Sequence, residues 1–210
     1  MNDNFIFSSH VGFKDILKEL DDGFAIFEKG QKLISVFGSA RVGKGDPMYH
    51  YAESVGAEAA KMGYGVITGG GPGLMEAASR GCFLNNGVTY GINIKLPKEQ
   101  DMNPYIQKSY LCSRLFTRKI LLTYNSCGFI IMPGGFGTLD ELFEVVTLVS
   151  TSLMKPVPIV LAGSSFWQGL LQWVSHQLVS SGYITSKELG LITVADLPQD
   201  IIKHIDTFNF

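Results

Sequence analysis

The chain is 210 residues long, with 17 basic and 19 acidic residues, 46% hydrophobic content and 24 glycines, about 11% against a usual ~7%. That length fits one domain and the apolar fraction fills a real core, while a net charge of −2 gives no electrostatic reason to expect nucleic acid or an anionic membrane surface. With 8 prolines and no Gly-X-Y period, collagen-like and low-complexity readings fail, so the glycine excess calls for a local explanation.

Residues 1–31 read as an amphipathic helical lead-in, with Phe13, Ile16, Leu17 and Leu20 at helical spacing. The N-terminus carries acidic residues early and lacks a basic start followed by an apolar stretch, so no secretion signal is expected and the mature protein should begin near residue 1. Apolar runs of strand length follow at Leu33 to Phe37, Gly65 to Thr68, Thr89 to Ile94, Gly128 to Met132 and Val157 to Leu161, with a last short one at Leu191 to Val194. Helix-length stretches separate them at Pro47 to Met62, Leu74 to Leu84, Leu111 to Tyr124, Leu139 to Thr151 and Phe166 to Ser180, and a terminal helix follows Pro198. Strands alternating with helices predict an α/β fold: a single Rossmann-like, doubly wound parallel sheet over residues 32–210, with helices on both faces. Cys82, Cys112 and Cys127 form neither a disulfide framework nor a zinc spacing, and no apolar run approaches the ~20 residues that span a bilayer, so a cytoplasmic protein without membrane contact is expected.

In such a sheet, ligands bind beyond the carboxyl ends of the strands, and three of the loops there are rich in glycine. The first, Gly38-Ser-Ala-Arg-Val-Gly-Lys-Gly45, begins like a Walker A loop but has Gly45 where a hydroxyl must hold magnesium. It reads either as a loop whose amides, with Ser39 and Arg41, border a nucleotide pocket, or as an ordinary strand-to-helix turn. The second, Gly69-Gly-Gly-Pro-Gly73, fits G-x-G-x-x-G in no register, which disfavours a dehydrogenase. Its Glu76 lies in the first turn of the next helix and either complements the helix dipole or accepts hydrogen bonds from a base or sugar.

The third loop, Pro133-Gly-Gly-Phe-Gly137, clears side chains from the start of a helix expected to begin at Thr138 or Leu139. Free amides there make an anion site suited to phosphate. The competing account is a capping box, Thr138-x-x-Glu141, although capping alone does not require three glycines before the cap. Arg114, Arg118 and Lys119 lie on an otherwise apolar helix and need partners or a cleft, because an unpaired buried charge is costly. Glu141 beside an anion site would suit a sugar ring gaining oxocarbenium character. His10, His50, His176 and His204 are scattered, and no Ser-His-Asp, Cys-His or H-E-x-x-H arrangement is visible.

Pro133-Gly-Gly-Phe-Gly-Thr-Leu-Asp-Glu141, with Arg118-Lys119 upstream, resembles the PGGxGTxxE and RK motifs of the LOG ("Lonely guy") family. Those are cytokinin riboside 5′-monophosphate phosphoribohydrolases, often mislabelled lysine decarboxylases. The resemblance runs from Val36 to about Leu197 and includes Phe37 to Arg41, Thr68 to Ala78, Leu96 to Gln100 with Asn103, and Leu139 to Glu144. The longer N-terminus and the Glu-Gln/Asn segment resemble the bacterial branch.

The resemblance implies hydrolysis of the N-glycosidic bond of a purine nucleoside 5′-monophosphate, with no metal or other cofactor. It places Arg118 and Glu141 as the catalytic pair and Gly134, Gly135, Gly137 and Thr138 as the phosphate loop. Substrate contacts are expected from Ser39, Arg41, Gly70, Gly71, Met75, Glu76, Glu99, Lys119, Asp140 and Thr147. It also implies a homodimer or larger homo-oligomer. The chain departs from the pattern at Val149-Ser-Thr151, where relatives more often carry a Gln before the Thr. A non-catalytic nucleotide carrier on the same fold is the alternative, since fold does not fix function.

Overall fold

A computed structural model describes residues 12–95 and 101–208. The expected substrate residue Glu99 lies outside these residues. Seven strands form one all-parallel sheet in the order β4-β3-β2-β1-β5-β6-β7. They are β1 (Leu33–Phe37), β2 (Gly65–Thr68), β3 (Thr89–Ile94), β4 (Lys108–Cys112), β5 (Phe129–Ile131), β6 (Ile159–Ala162) and β7 (Ile192–Ala195). The chain runs outward from β1 to β4, then returns to lay β5 against the other side of β1. The reversal between β1 and β5 is the topological switch point, where a doubly wound sheet opens a crevice.

Alternation along each strand feeds two cores. Ile34, Val36, Val66, Ile130 and Val160 face α2 (Pro47–Lys61), α3 (Leu74–Leu84) and α8 (Pro198–Asp206). Leu33, Phe37, Ile67, Ile92, Phe129 and Ile131 face α4 (Leu115–Tyr124), α5 (Phe136–Ser150) and α6 (Ser164–Trp173). Both faces being covered explains why the strands read as continuous apolar runs. The remaining helices are α1 (Phe13–Phe24) and the short α7 (Ser186–Leu189), and α6 runs on into a wider π-helical stretch, Val174–Val179.

Two differences from the sequence reading bear on the site. The apolar stretch from Leu111 is not helical at its start: Lys108–Cys112 is an edge strand, β4, and α4 begins only at Leu115. An edge strand covered on one face alternates, so Leu111 is exposed while Cys112 is buried, and no apolar run marks it. The helix after β5 begins at Phe136, ahead of the predicted Thr138 or Leu139. Its N-cap is therefore Gly135, with no side-chain cap, and the Thr138-x-x-Glu141 capping box does not form.

α1 docks on the start of α4. Glu19, buried, accepts from the backbone amide of Arg114 at 3.2 Å and pairs with the Arg114 guanidinium at 2.5 Å. These hydrogen bonds hold the Glu19 carboxyl below the usual carboxylate range although burial pulls the other way. Phe24 packs edge-on against Tyr124 at the far end of the same helix. Arg114 thus finds its partner on α1.

Candidate active site

A cleft of about 780 Å³ opens over the carboxyl ends of β1, β2, β3 and β5. It gathers residues that the chain keeps far apart: Ser39 and Arg41 from the first loop, Gly69 and Met75 from the second, Asn93 at the end of β3, Arg118 from α4, and Gly135, Gly137, Thr138 and Glu141 from the third.

The three loops are tied together by backbone hydrogen bonds. The Ser39 amide donates to the Pro133 carbonyl at 3.1 Å, and the Leu74 amide donates to the Ser39 carbonyl at 2.9 Å. Lys44, in the Walker-like segment, turns away and pairs with Glu76 at 2.7 Å. Asp46 caps α2 by accepting from the Met48 amide at 2.8 Å, with Pro47 in the first turn. The first loop therefore contributes its front half, Gly38 to Arg41, to the cleft.

The third loop ends in a helix N-terminus whose amides are free. The first intrahelical bond of α5 runs from the Leu139 amide to the Gly135 carbonyl at 3.0 Å, which leaves the amides of Phe136, Gly137 and Thr138 without intrahelical partners. A side chain on Gly134 would overlap Thr138, so that glycine serves packing. At Gly135 and Gly137 a Cβ would meet nothing within 4 Å, so the space before these amides is open. Open amides at the positive end of a 15-residue helix are suited to an anion.

Arg118 crosses over the sheet from α4. Its Nε donates to the Ile92 carbonyl at 2.8 Å and its Nη2 to the Gly69 carbonyl at 3.3 Å, so backbone oxygens of two strand ends set its orientation. Burial lowers the Arg118 pKa from its usual value, while the nearby Glu141 pulls it back up. Burial raises the Glu141 carboxyl to about 7; Arg118 opposes that rise, and Asp140 and Glu144 add to it. A carboxyl that changes charge near neutral pH, beside a fixed guanidinium, is suited to moving a proton or meeting developing positive charge.

The other residues singled out by sequence sit around this lining rather than in it. Gly70 and Gly71 lie behind Gly69, and the Asn103 side chain donates to their carbonyls at 3.2 and 3.0 Å. Glu76 is buried, accepting from the Tyr49 hydroxyl at 3.1 Å besides its Lys44 pair. Lys119 bridges α4 to α5, reaching Asp140 at 2.9 Å and Glu144 at 3.2 Å. Thr147 is exposed two turns along α5 from Asp140. Among the described residues, no group of three or more His, Cys, Asp or Glu could hold a metal ion, and no helix is long and apolar enough to cross a membrane. Asn93 and Gly69 line the cleft without having been singled out by sequence; for Asn93 the available signal was a polar residue inside an otherwise buried strand.

The model of a family described as possible lysine decarboxylase, the LOG family, matches residues 75–205. The chain belongs to the LOG family. A cytokinin riboside 5′-monophosphate phosphoribohydrolase of Mycobacterium tuberculosis is 30% identical over 159 residues, covering 72% of this chain and 82% of the relative. A relative of the same name from Arabidopsis thaliana is 26% identical over 181 residues, 84% of each chain. Among solved structures, a molybdenum cofactor binding protein from Rippkaea orientalis superposes with a TM-score of 0.63 at 20% identity, covering 86% of this chain and 98% of its own. The molybdenum cofactor carrier protein of Chlamydomonas reinhardtii gives 0.58 at 20% identity, over 84% and 96%. These two likenesses establish the LOG-like fold and nothing about cargo.

Proposed function

We propose that this LOG-family chain is a hydrolase that cleaves the N-glycosidic bond of purine nucleoside 5′-monophosphates, cytokinin riboside 5′-monophosphate or AMP, to free base and ribose 5-phosphate. The observation that carries the reading is the meeting, in one cleft, of an open helix N-terminus with the neighbouring Arg118 and Glu141 side chains. The names of the curated relatives support it.

The 5′-phosphate anchors on the loop Gly134 to Thr138. Glu141, as the carboxylate, orients a water and stabilises the positive charge that develops at C1′, while Arg118 positions the sugar and Glu141. The water oxygen bonds to C1′, the C1′–N bond breaks with its electron pair passing to the base, and the water proton ends on the base nitrogen. Placement and preorganised charge supply most of the rate. A carboxyl near 7 is basic enough to take that proton and still partly ionised at neutral pH.

Ser39, Arg41 and Met75 border the nucleotide in this reading, with Gly70, Gly71 and Glu76 behind them, and the resemblance adds Glu99 as a substrate contact. Lys119, Asp140 and Thr147 contact substrate in the context of a homodimer or larger assembly. The exposed apolar side chains of Leu111, Leu115, Phe116, Ile120 and Phe143 support such an assembly, since a second copy would cover them. The protein works in the cytoplasm as one catalytic domain, residues 32–210, with a helical lead-in.

A panel of AMP, GMP, CMP and isopentenyl-AMP, with products identified by chromatography, tests the reading. Base and ribose 5-phosphate appear in equal amounts from at least one purine nucleotide. The rival, a nucleotide carrier on the same fold, predicts tight AMP binding with no base released.

A further inference from the structure

Asn93 occupies the cleft end of β3. Alternation puts Tyr90 and Ile92 in the core shared with α4, so Asn93 points to the other face, under the second glycine loop. It is 9% exposed, and no hydrogen bond among the described residues reaches its Oδ1. Leaving a buried carbonyl unpaired is destabilising, and an apolar residue of the same shape would avoid it. No hydrogen bond among the described residues fixes the amide, whose Oδ1 lies against Gly70, and a turn about χ2 brings that edge to the cleft that Asn93 helps to line.

Its position relative to the other groups identifies what it could meet. A side chain on Gly69 would strike the Arg118 guanidinium, and one on Gly70 would strike the Asn93 amide, so the two groups lie side by side under consecutive residues. The anion site follows β5, and β1 and β2 lie between β5 and β3, a lateral span of about 14 Å at three strand spacings. With phosphate at α5 and the sugar between that end and Arg118, Asn93, beside Arg118 and three strands from the phosphate, faces the base.

Resting on the proposed nucleotide hydrolysis, we infer that Asn93 is the base-reading residue: its Oδ1 accepts from the exocyclic N6–H of a 6-aminopurine and its Nδ2 donates to N7. This is the bidentate pairing that a carboxamide makes with adenine. A 6-oxopurine presents acceptors at both O6 and N7, which leaves Oδ1 facing an acceptor. An N6-substituted adenine keeps one N6–H and stays readable. Donation to N7 also stabilises the negative charge that the departing base takes from the breaking bond.

The test compares kcat/KM for AMP and IMP in wild type, Asn93→Ala and Asn93→Asp, with binding of ribose 5-phosphate as a control for the anion site. Wild type favours AMP by about ten-fold or more, the magnitude of one good bidentate contact. Asn93→Ala brings the AMP to IMP ratio to within about two-fold of one by losing AMP activity, with ribose 5-phosphate binding unchanged. Asn93→Asp is isosteric over Gly70 and decides the matter should the alanine variant fail to fold. It loses the donor to N7 and drops AMP turnover about ten-fold or more. A wild-type preference for AMP that survives both substitutions overturns the inference while leaving the hydrolase reading intact. An absence of base release from every nucleotide in wild type overturns the hydrolase reading itself.

Discussion

Two loops of this molecule share a composition and differ in what their glycines do. In Gly69 to Gly73 the glycines face inward. Gly70 and Gly73 have φ of +72° and +71°, Gly69 lies against Arg118, Gly70 against Asn93, and Gly73 against the backbone of Ser39 and Ala40. In Pro133 to Gly137, Gly135 and Gly137 have no positive φ and nothing within reach of a Cβ. The Gly69 to Gly73 loop is a packing device that lets one strand end hold the arginine; Gly135 and Gly137 are backbone left open to solvent. Glycine density alone thus does not mark a ligand site. What distinguishes the two is whether the space a side chain would fill belongs to the protein.

That contrast can be broken by substitution. At Gly73 an alanine would strike the Ser39 and Ala40 backbone from a left-handed conformation, so Gly73→Ala is expected to destabilise the fold by about 2–4 kcal/mol in urea unfolding. A change under about 0.5 kcal/mol would erase the distinction between the loops. Gly135→Ala has room, and its stability is expected to stay within about 0.5 kcal/mol of wild type while inhibition by ribose 5-phosphate weakens about ten-fold. Unaltered inhibition would show that the anion binds elsewhere.

Glu141 sharpens the comparison through pH. Its carboxyl is raised from 4.5 to about 7, so the folded state holds a proton that the unfolded state releases earlier. Its stabilising contribution is complete below 4.5 and is lost as pH rises through about 7. Glu141→Gln removes that loss, and its melting temperature relative to wild type is expected to rise between pH 5 and pH 8, by the equivalent of roughly 1–3 kcal/mol. Activity runs the opposite way, since the carboxylate is the working form: kcat rises with pH through about 7 in wild type, and the limb disappears in Glu141→Gln. The phosphate of the substrate titrates near 6 and contributes its own limb to binding, which the variant retains. The smallest effect is expected at Lys119, partly exposed and shared between Asp140 and Glu144: Lys119→Ala costs about 1 kcal/mol or less in unfolding.

The parallel sheet was legible because strands buried on both faces are short apolar runs bounded by glycine, as in Leu33 to Phe37 and Gly65 to Thr68. β4 was not, because an edge strand covered on one side alternates and its Leu111 runs into the apolar stretch of α4. The start of α5 was misplaced because Thr138 and Glu141 have capping-box spacing and Phe136 sits between glycines. Tertiary contacts decided the boundary: the Ser39 amide and the Met132 amide, bonded to the Pro133 and Phe37 carbonyls, fix the turn so that Gly135 becomes the cap. The need of Arg118 for a partner or a cleft was readable from its apolar helix, but its actual partners, the carbonyls of Ile92 and Gly69, come from distant strands. Asn93 and Asn103 act through the same loop, and neither the cleft position of one nor the backbone contacts of the other follow from local spacing.

The most direct test is a product analysis of AMP incubated with the purified protein and with Glu141→Ala. The account predicts adenine and ribose 5-phosphate in one-to-one amounts from wild type, and a rate about 10²-fold lower or less from the variant with AMP still bound. A variant as fast as wild type, or a wild type that binds AMP and releases no base, would contradict it.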